Sequence, residues 1–410
     1  MRLNQRGLRA VEAAMMKSMT MHQDFSAQPA QSTPPSSEQL PRQRKILREL
    51  ADRRELFANL APNWYASIMG TGIVAVAGAT LPLQFPGLRT GVTVIWAIAA
   101  LLLVALSAAT VLHWMRHRQI ARGHHLNAVT SYFYGAPPMA FLTVGAGALL
   151  LGKDWIGLQA AVTVSWTLWT IGTALGLLSA IIVPYLAFTR HHNTAESAFG
   201  GWLMPIVPPM VSASAGALLL PYAPAGQIRE TLLWACYGFF GLSLIASLIV
   251  ITLIWNRLVQ HQIGAPGMVP TLWILLGPVG QSITAVNLLA ANAPTAVGTS
   301  TARALLMLAL VYGFAMLGFA MLWTVIALLI TIRAVREGLP FSLSWWSFTF
   351  PVGTCVTGLN GLAEHSGLVL VQVLAVIYYL GLIAAWLIVA ARTFHGSVIR
   401  GTLFLAPRNA

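Results

Sequence analysis

Five prolines, Pro62, Pro138, Pro208, Pro278 and Pro351, recur at separations of 76, 70, 70 and 73 residues, each in or beside a long apolar stretch. A near-constant spacing of this kind marks an internal repeat. Ten stretches are long and apolar enough to cross a bilayer as helices: 62–82, 90–112, 132–152, 157–183, 201–220, 231–255, 268–291, 304–332, 342–363 and 367–392. The odd-numbered ones carry proline, as in "GGWLMPIVPPMVSASAGA" and "SWWSFTFPVGT"; the even-numbered ones have none within these bounds. One repeat therefore pairs a kinked helix with a straight one. Composition fits a membrane origin: 57% of residues are hydrophobic and 9% charged, with mean hydropathy +0.72, whereas soluble chains carry about 25% charged residues. The expected fold is an all-α integral membrane protein of ten transmembrane helices. They form five helical hairpins around a central pore lined by the odd-numbered, Pro-kinked helices.

The broken helices belong inside, because irregular backbone at membrane depth is tolerated only where it is buried or lines a water-filled cavity. Small and hydroxyl-bearing residues follow the breaks, which makes Gly72, Pro138, Pro208, Ser212, Pro278, Gln281, Ser282, Pro351 and Thr354 the candidate kink and pore-lining residues. The plainer reading of any one of them is that small residues let helices pack closely. Repetition in five alternate segments favours a pore. Every odd helix begins on the same side, so five parallel dipoles present their positive ends to one mouth, which leans the pore toward anions.

The formal charge of +13 reflects topology rather than nucleic acid. Of 24 Lys and Arg residues, 20 fall in the two termini and the loops on their side, and four in the opposite loops. This bias places both termini in the cytoplasm. Residues 1–55 read as a disordered basic cytoplasmic tail. Its end, "ILRELADRRELFANL", forms an amphipathic helix on the membrane surface or a solvated linker helix. The channel domain is expected over 56–395 and a short cytoplasmic tail over 396–410. The first 45 residues lack the apolar core of a signal peptide. All Asp, Glu and His residues lie outside the expected spans, which argues against a carboxylate-driven proton pump or an acidic cation filter. Two cysteines, Cys236 and Cys355, sit in apolar runs, so neither a disulfide scaffold nor a thiolate metal site is expected. No cofactor or metal is anticipated. A membrane-embedded enzyme is the rival class, but no intramembrane His is available to activate Ser or Cys.

"PNWYASIMGTG", "GPVGQS" and "WWSFTFPVGT" resemble signature segments of the tellurite-resistance/dicarboxylate transporter family, over residues 60 to 392. That family includes tellurite-resistance proteins, fungal malate permeases, sulfite efflux pumps and plant guard-cell slow anion channels. The resemblance implies a homotrimer in the plasma or inner membrane. It also implies a pore gate, a phenylalanine on the ninth helix matching Phe350. The implied substrates are small anions, sulfite or a C4-dicarboxylate such as malate, or tellurite resistance. A chloride- or nitrate-selective channel is the alternative. The implied partners are these anions and the lipid bilayer.

Overall fold

The computed structural model of the protein describes residues 46–50 and 56–405. Ten helices carry its architecture. They are α1 Tyr65–Ala79, α2 Leu88–Arg116, α3 Ala136–Gly147, α4 Leu158–Thr189 and α5 Pro208–Leu219. After them come α6 Gln227–His261, α7 Leu276–Asn292, α8 Thr299–Arg336, α9 Phe350–Ser366 and α10 Val369–Phe394. No strand occurs among the described residues. Seven helical stretches are long and apolar enough to cross a membrane. The other three, α1, α5 and α9, run for only 15, 12 and 17 residues as α-helix.

Their shortness has a common cause, which corrects the expected kinks. Each odd helix is preceded by a 3-10 segment: Pro62–Trp64, Thr130–Gly135, Gly200–Leu203, Pro266–Leu275 and Leu343–Phe348. Pro62 opens such a segment, and Pro138, Pro208, Pro278 and Pro351 lie in the first turn of the α-helix. There a proline bends nothing, because its missing N–H had no intrahelical partner and its fixed φ already suits the helix. First-turn amides are bonded to the preceding turn, as in Gly353 N–H to Thr349 O at 2.9 Å and Val211 N–H to Val207 O at 3.3 Å. Among the described residues one proline does sit beyond the first turn of an α-helix, and it is in an even one: α4 continues past its expected end and contains Pro184.

The odd helices form a closed ring. Helix α1 packs on α3, α3 on α5, α5 on α7 and α7 on α9, and α9 returns to α1. Each even helix lies outside, packed on the odd helix of its own hairpin and on the odd helix of the next. Burial follows this sorting. The most apolar window of Pro266–Thr295 is 89% buried, while those of α6, α8 and Val369–Arg400 are 22% buried. A chain that turns its long apolar helices outward needs an apolar solvent. Three indoles tie outer helices to the next hairpin: Trp96 Nε1 donates to Val144 O at 3.0 Å, Trp169 Nε1 to Ser212 O at 2.9 Å and Trp386 Nε1 to Thr71 Oγ1 at 3.1 Å.

Much of the expected basic tail, 1–45 and 51–55, lies outside the described residues. Within it, residues 46–50 form bends and turns and no helix. The Leu47, Arg48 and Glu49 amides donate to the Val398, Ile399 and Arg400 carbonyls at 3.0, 3.2 and 2.8 Å. Arg400 closes the pairing through Glu49, Nε to Oε1 at 2.7 Å. Residues 46–50 and the segment after α10 therefore meet, and Phe404 stacks on Trp64 at 5.0 Å between ring centroids.

Candidate functional site

All five odd helices line one axial cavity of about 790 Å³. Helix α1 contributes Ile73, Val76 and Thr80, α3 Leu142 and Thr143, and α5 Val211 and Ser214. Helix α7 presents Gln281, Thr284, Asn287 and Leu288, and α9 presents Phe350, Thr357, Asn360 and Gly361, followed by Glu364 and His365. Spacings of three, four and seven residues place each set on one helical face.

Four polar pairs cross between helices along the cavity. Gln281 Nε2 donates to Ser214 Oγ. Thr284 and Thr357 share a hydroxyl bond of 2.7 Å. Asn360 Nδ2 donates to Thr80 Oγ1 at 2.9 Å, leaving Asn360 Oδ1 buried without a partner. His365 Nδ1 lies 2.8 Å from Asn287 Oδ1, and the Asn287 amide donates to Ile283 O at 2.9 Å, so His365 is the donor. The Gln281 amide has two N–H groups and commits one, which leaves a donor for a cavity ligand.

Phe350 interrupts the axis. Its ring is 2% exposed and borders both the large cavity and a second one of about 420 Å³. The second cavity is walled by the first turns of the odd helices, through Ala66, Met139, Val207, Gly277 and Pro351, and by Leu343 and Ser347. Phe348 points elsewhere. It is half-buried and meets Trp273 and Trp345 edge-on at 5.8 and 5.7 Å. The bend that separates the two rings is not at Pro351. It is the junction of the 3-10 segment and α9 at Thr349, with φ −104° and ψ −72°.

The candidates named from sequence divide accordingly. Gln281 and Phe350 line the axial cavity and Pro351 the second one. Ser212, Ser282 and Thr354 are fully buried in helix contacts, donating to Pro208 O at 3.2 Å, Val279 O at 2.7 Å and Pro351 O at 2.7 Å. Gly72 gives α3 room: a Cβ there would stand 2.9 Å from Thr143 Cγ2. Pro138 and Pro208 pack against Gly176 of α4, and Pro278 is buried in the first turn of α7. Thr80, Thr143, Thr284, Asn287, Thr357 and Asn360 escaped notice in the sequence. For Thr284, Asn287, Thr357 and Asn360 the signal was a polar stripe continuing down α7 and α9 beyond the residues next to the prolines.

The ninth span was expected to end at 363, yet α9 runs through Ser366, and Glu364 and His365 line the cavity where it opens. The lining holds no Lys or Arg, and Glu364 is its single carboxylate. The odd helices run parallel, so their N-terminal ends gather at the second cavity and place positive potential on the far side of Phe350.

Comparison with known proteins places this geometry. A family described as SLAC1, voltage-dependent anion channel, matches residues 59–394. An uncharacterised transporter of Methanocaldococcus jannaschii is 27% identical over 312 residues, 76% of this chain and 86% of that protein. The sulfite efflux pump SSU1 of Arthroderma otae is 23% identical over 362 residues, 85% of this chain and 94% of the pump. The malic acid transport protein of Schizosaccharomyces pombe is 21% identical over 307 residues, 70% of this chain and 67% of that protein.

Proposed function

This chain belongs to the voltage-dependent anion channel family, and from that premise we propose that it carries small oxyanions, sulfite or a C4-dicarboxylate such as malate, along the ring axis. One observation carries the reading: five helices share a cavity that holds no Lys or Arg and is crossed by polar pairs, and a single phenylalanine separates it from a second cavity. Phe350 is the gate, since an apolar ring across a narrow path hinders ions by excluding water. Gln281 offers the passing anion its free N–H, and the odd-helix N-termini attract it on the other side of the ring. Pro351 sets the first turn behind the gate. Gly72, Pro138, Pro208, Ser212, Pro278, Ser282 and Thr354 act one layer out, by holding the helices that shape the path.

The relatives' names support sulfite and malate, because a sulfite efflux pump and a malic acid transport protein match most of this chain. A chloride or nitrate channel is the second reading, favoured by the lack of any Lys or Arg in the lining that would hold a dianion. The protein acts as a homotrimer in the plasma or inner membrane and moves its substrate unchanged. A competition flux assay in proteoliposomes, with sulfite, malate, chloride and nitrate at two pH values, tests the assignment. Sulfite or malate should displace the others. Flux of halide alone would select the second reading, and no anion flux would reject both.

A further inference from the structure

Outside the ring, a cleft of about 1200 Å³ opens between α8 and α10, with α9 and its 3-10 entry as the floor. Its walls include Leu328 and Val335 of α8 and Ile377, Ala385 and Ile388 of α10. Its few polar atoms are spent within the protein: Tyr378 OH bonds Thr324 Oγ1 at 2.9 Å and Trp273 Nε1 bonds Thr331 Oγ1 at 2.9 Å. The cleft is thus apolar in effect, yet open sideways toward the surroundings of the outer helices. From Thr324 to Val335 the α8 wall runs about 16 Å at 1.5 Å per residue. That is roughly half of a 30 Å hydrocarbon core, the depth of one leaflet.

A cation stands at one end. Arg392 follows the cleft residues Ile388 and Val389 by one helical turn, and its guanidinium lies 4.9 Å over the ring of Trp345, itself a lining residue. Phe341 is 5.9 Å away on the same guanidinium. The side chain is exposed, and among the described residues it has neither a carboxylate partner nor a hydrogen-bond acceptor. Stacking holds the guanidinium against the rings, and its forked N–H donors suit two phosphate oxygens. We propose that this cleft binds a phospholipid of net negative headgroup, one acyl chain lying between α8 and α10 and the headgroup phosphate on Arg392. Charge complementarity selects the anionic lipid, since the ammonium of a zwitterionic headgroup would bring a second cation to one with no carboxylate partner among the described residues. The site touches the axis from behind: Phe348 and Val352 line the cleft while Phe350, between them in sequence, borders the cavity.

Native mass spectrometry of the detergent-purified protein, with phosphatidylglycerol or phosphatidylcholine added, tests this without any transport assay. The wild type should retain phosphatidylglycerol at least tenfold better than phosphatidylcholine. Arg392→Gln should abolish that preference, and Arg392→Lys should restore part of it. Gly381 lines the cleft and a Cβ on it meets nothing within 4 Å, so Gly381→Trp should fill the cleft and exclude both lipids. Thermal melting of each variant confirms that it is folded. Equal retention by wild type, Arg392→Gln and Gly381→Trp would overturn the site. So would disulfide cross-linking of Gly381→Cys between two copies of the chain, which would make the cleft a subunit interface.

Discussion

Phe350 and Phe348 are two positions apart and have unrelated surroundings. Phe350 separates two cavities on the axis, whereas Phe348 lies in an aromatic cluster facing the outer cleft. Phe350→Ala should therefore raise anion flux in proteoliposomes severalfold per folded protein. Phe348→Ala should leave flux near wild type and cost about 3 kcal/mol of stability, the low end for a Phe→Ala truncation because the ring is only half-buried. Unchanged flux in Phe350→Ala would remove the gate. Gln281→Leu keeps the volume and deletes the free donor, so flux should fall while melting moves little; an unaltered rate would show that the anion does not use this amide. Gly280 is a different case. A Cβ on it would stand 2.7 Å from the Thr354 carbonyl carbon, which is backbone and cannot turn aside. Gly280→Ala should separate α7 from α9 and lower the melting temperature, by an overpacking cost of about 1–3 kcal/mol.

At the scale of elements, the two kinds of helix differ in what surrounds them. Leu248 lies near the middle of α6 and is 47% exposed on the outer face of the ring. An arginine there meets hydrocarbon at a cost of about 2.5–3.5 kcal/mol on insertion scales. Leu248→Arg should reduce the folded yield in membranes, and normal yield would contradict a lipid-facing or subunit-facing α6. The short helix Arg118–Leu126, between α2 and α3, lies outside the ring and carries a pH response. Burial, helped by His113 and then His125, pushes the His124 imidazole down from 6.5 to about 4. The unfolded chain then binds the extra proton first, so stability from this group is complete above about 6.5 and is lost as pH falls toward 4. Melting temperature should drop across that window, and His124→Gln should flatten the drop.

For the whole molecule, the Lys and Arg bias predicts that both termini face the cytoplasm. The native cysteines are both buried, so an added cysteine reports alone. Gln119→Cys and Ala225→Cys occupy exposed positions, in the short helix Arg118–Leu126 and in the loop before α6, which the charge bias puts on opposite sides. In intact cells an impermeant maleimide should label the second and spare the first; the reverse result would invert the topology. The membrane class, the five hairpins and the inner place of the proline-bearing helices were legible in the sequence. Apolar length, proline period and charge bias are properties of the chain itself and need no contact to be read. Phe350 stood out only through a family resemblance, since nothing in "SFTFPVGT" tells one ring from the other. The rest depended on three-dimensional closure. Prolines that look like mid-helix kinks became first-turn residues because the preceding turns tightened to 3-10 geometry, which no local pattern announces. Ser212, Ser282 and Thr354 look as suited to a pore as Gln281, but they are fully buried and their hydroxyls are spent on carbonyls of their own helices, three or four residues back. Neighbouring odd helices come close, α7 to α9 at Gly280 and α1 to α3 at Gly72, where a Cβ would collide with the facing helix. Cavity lining is therefore a property of the closed ring, and it appears only when all five odd helices are in place.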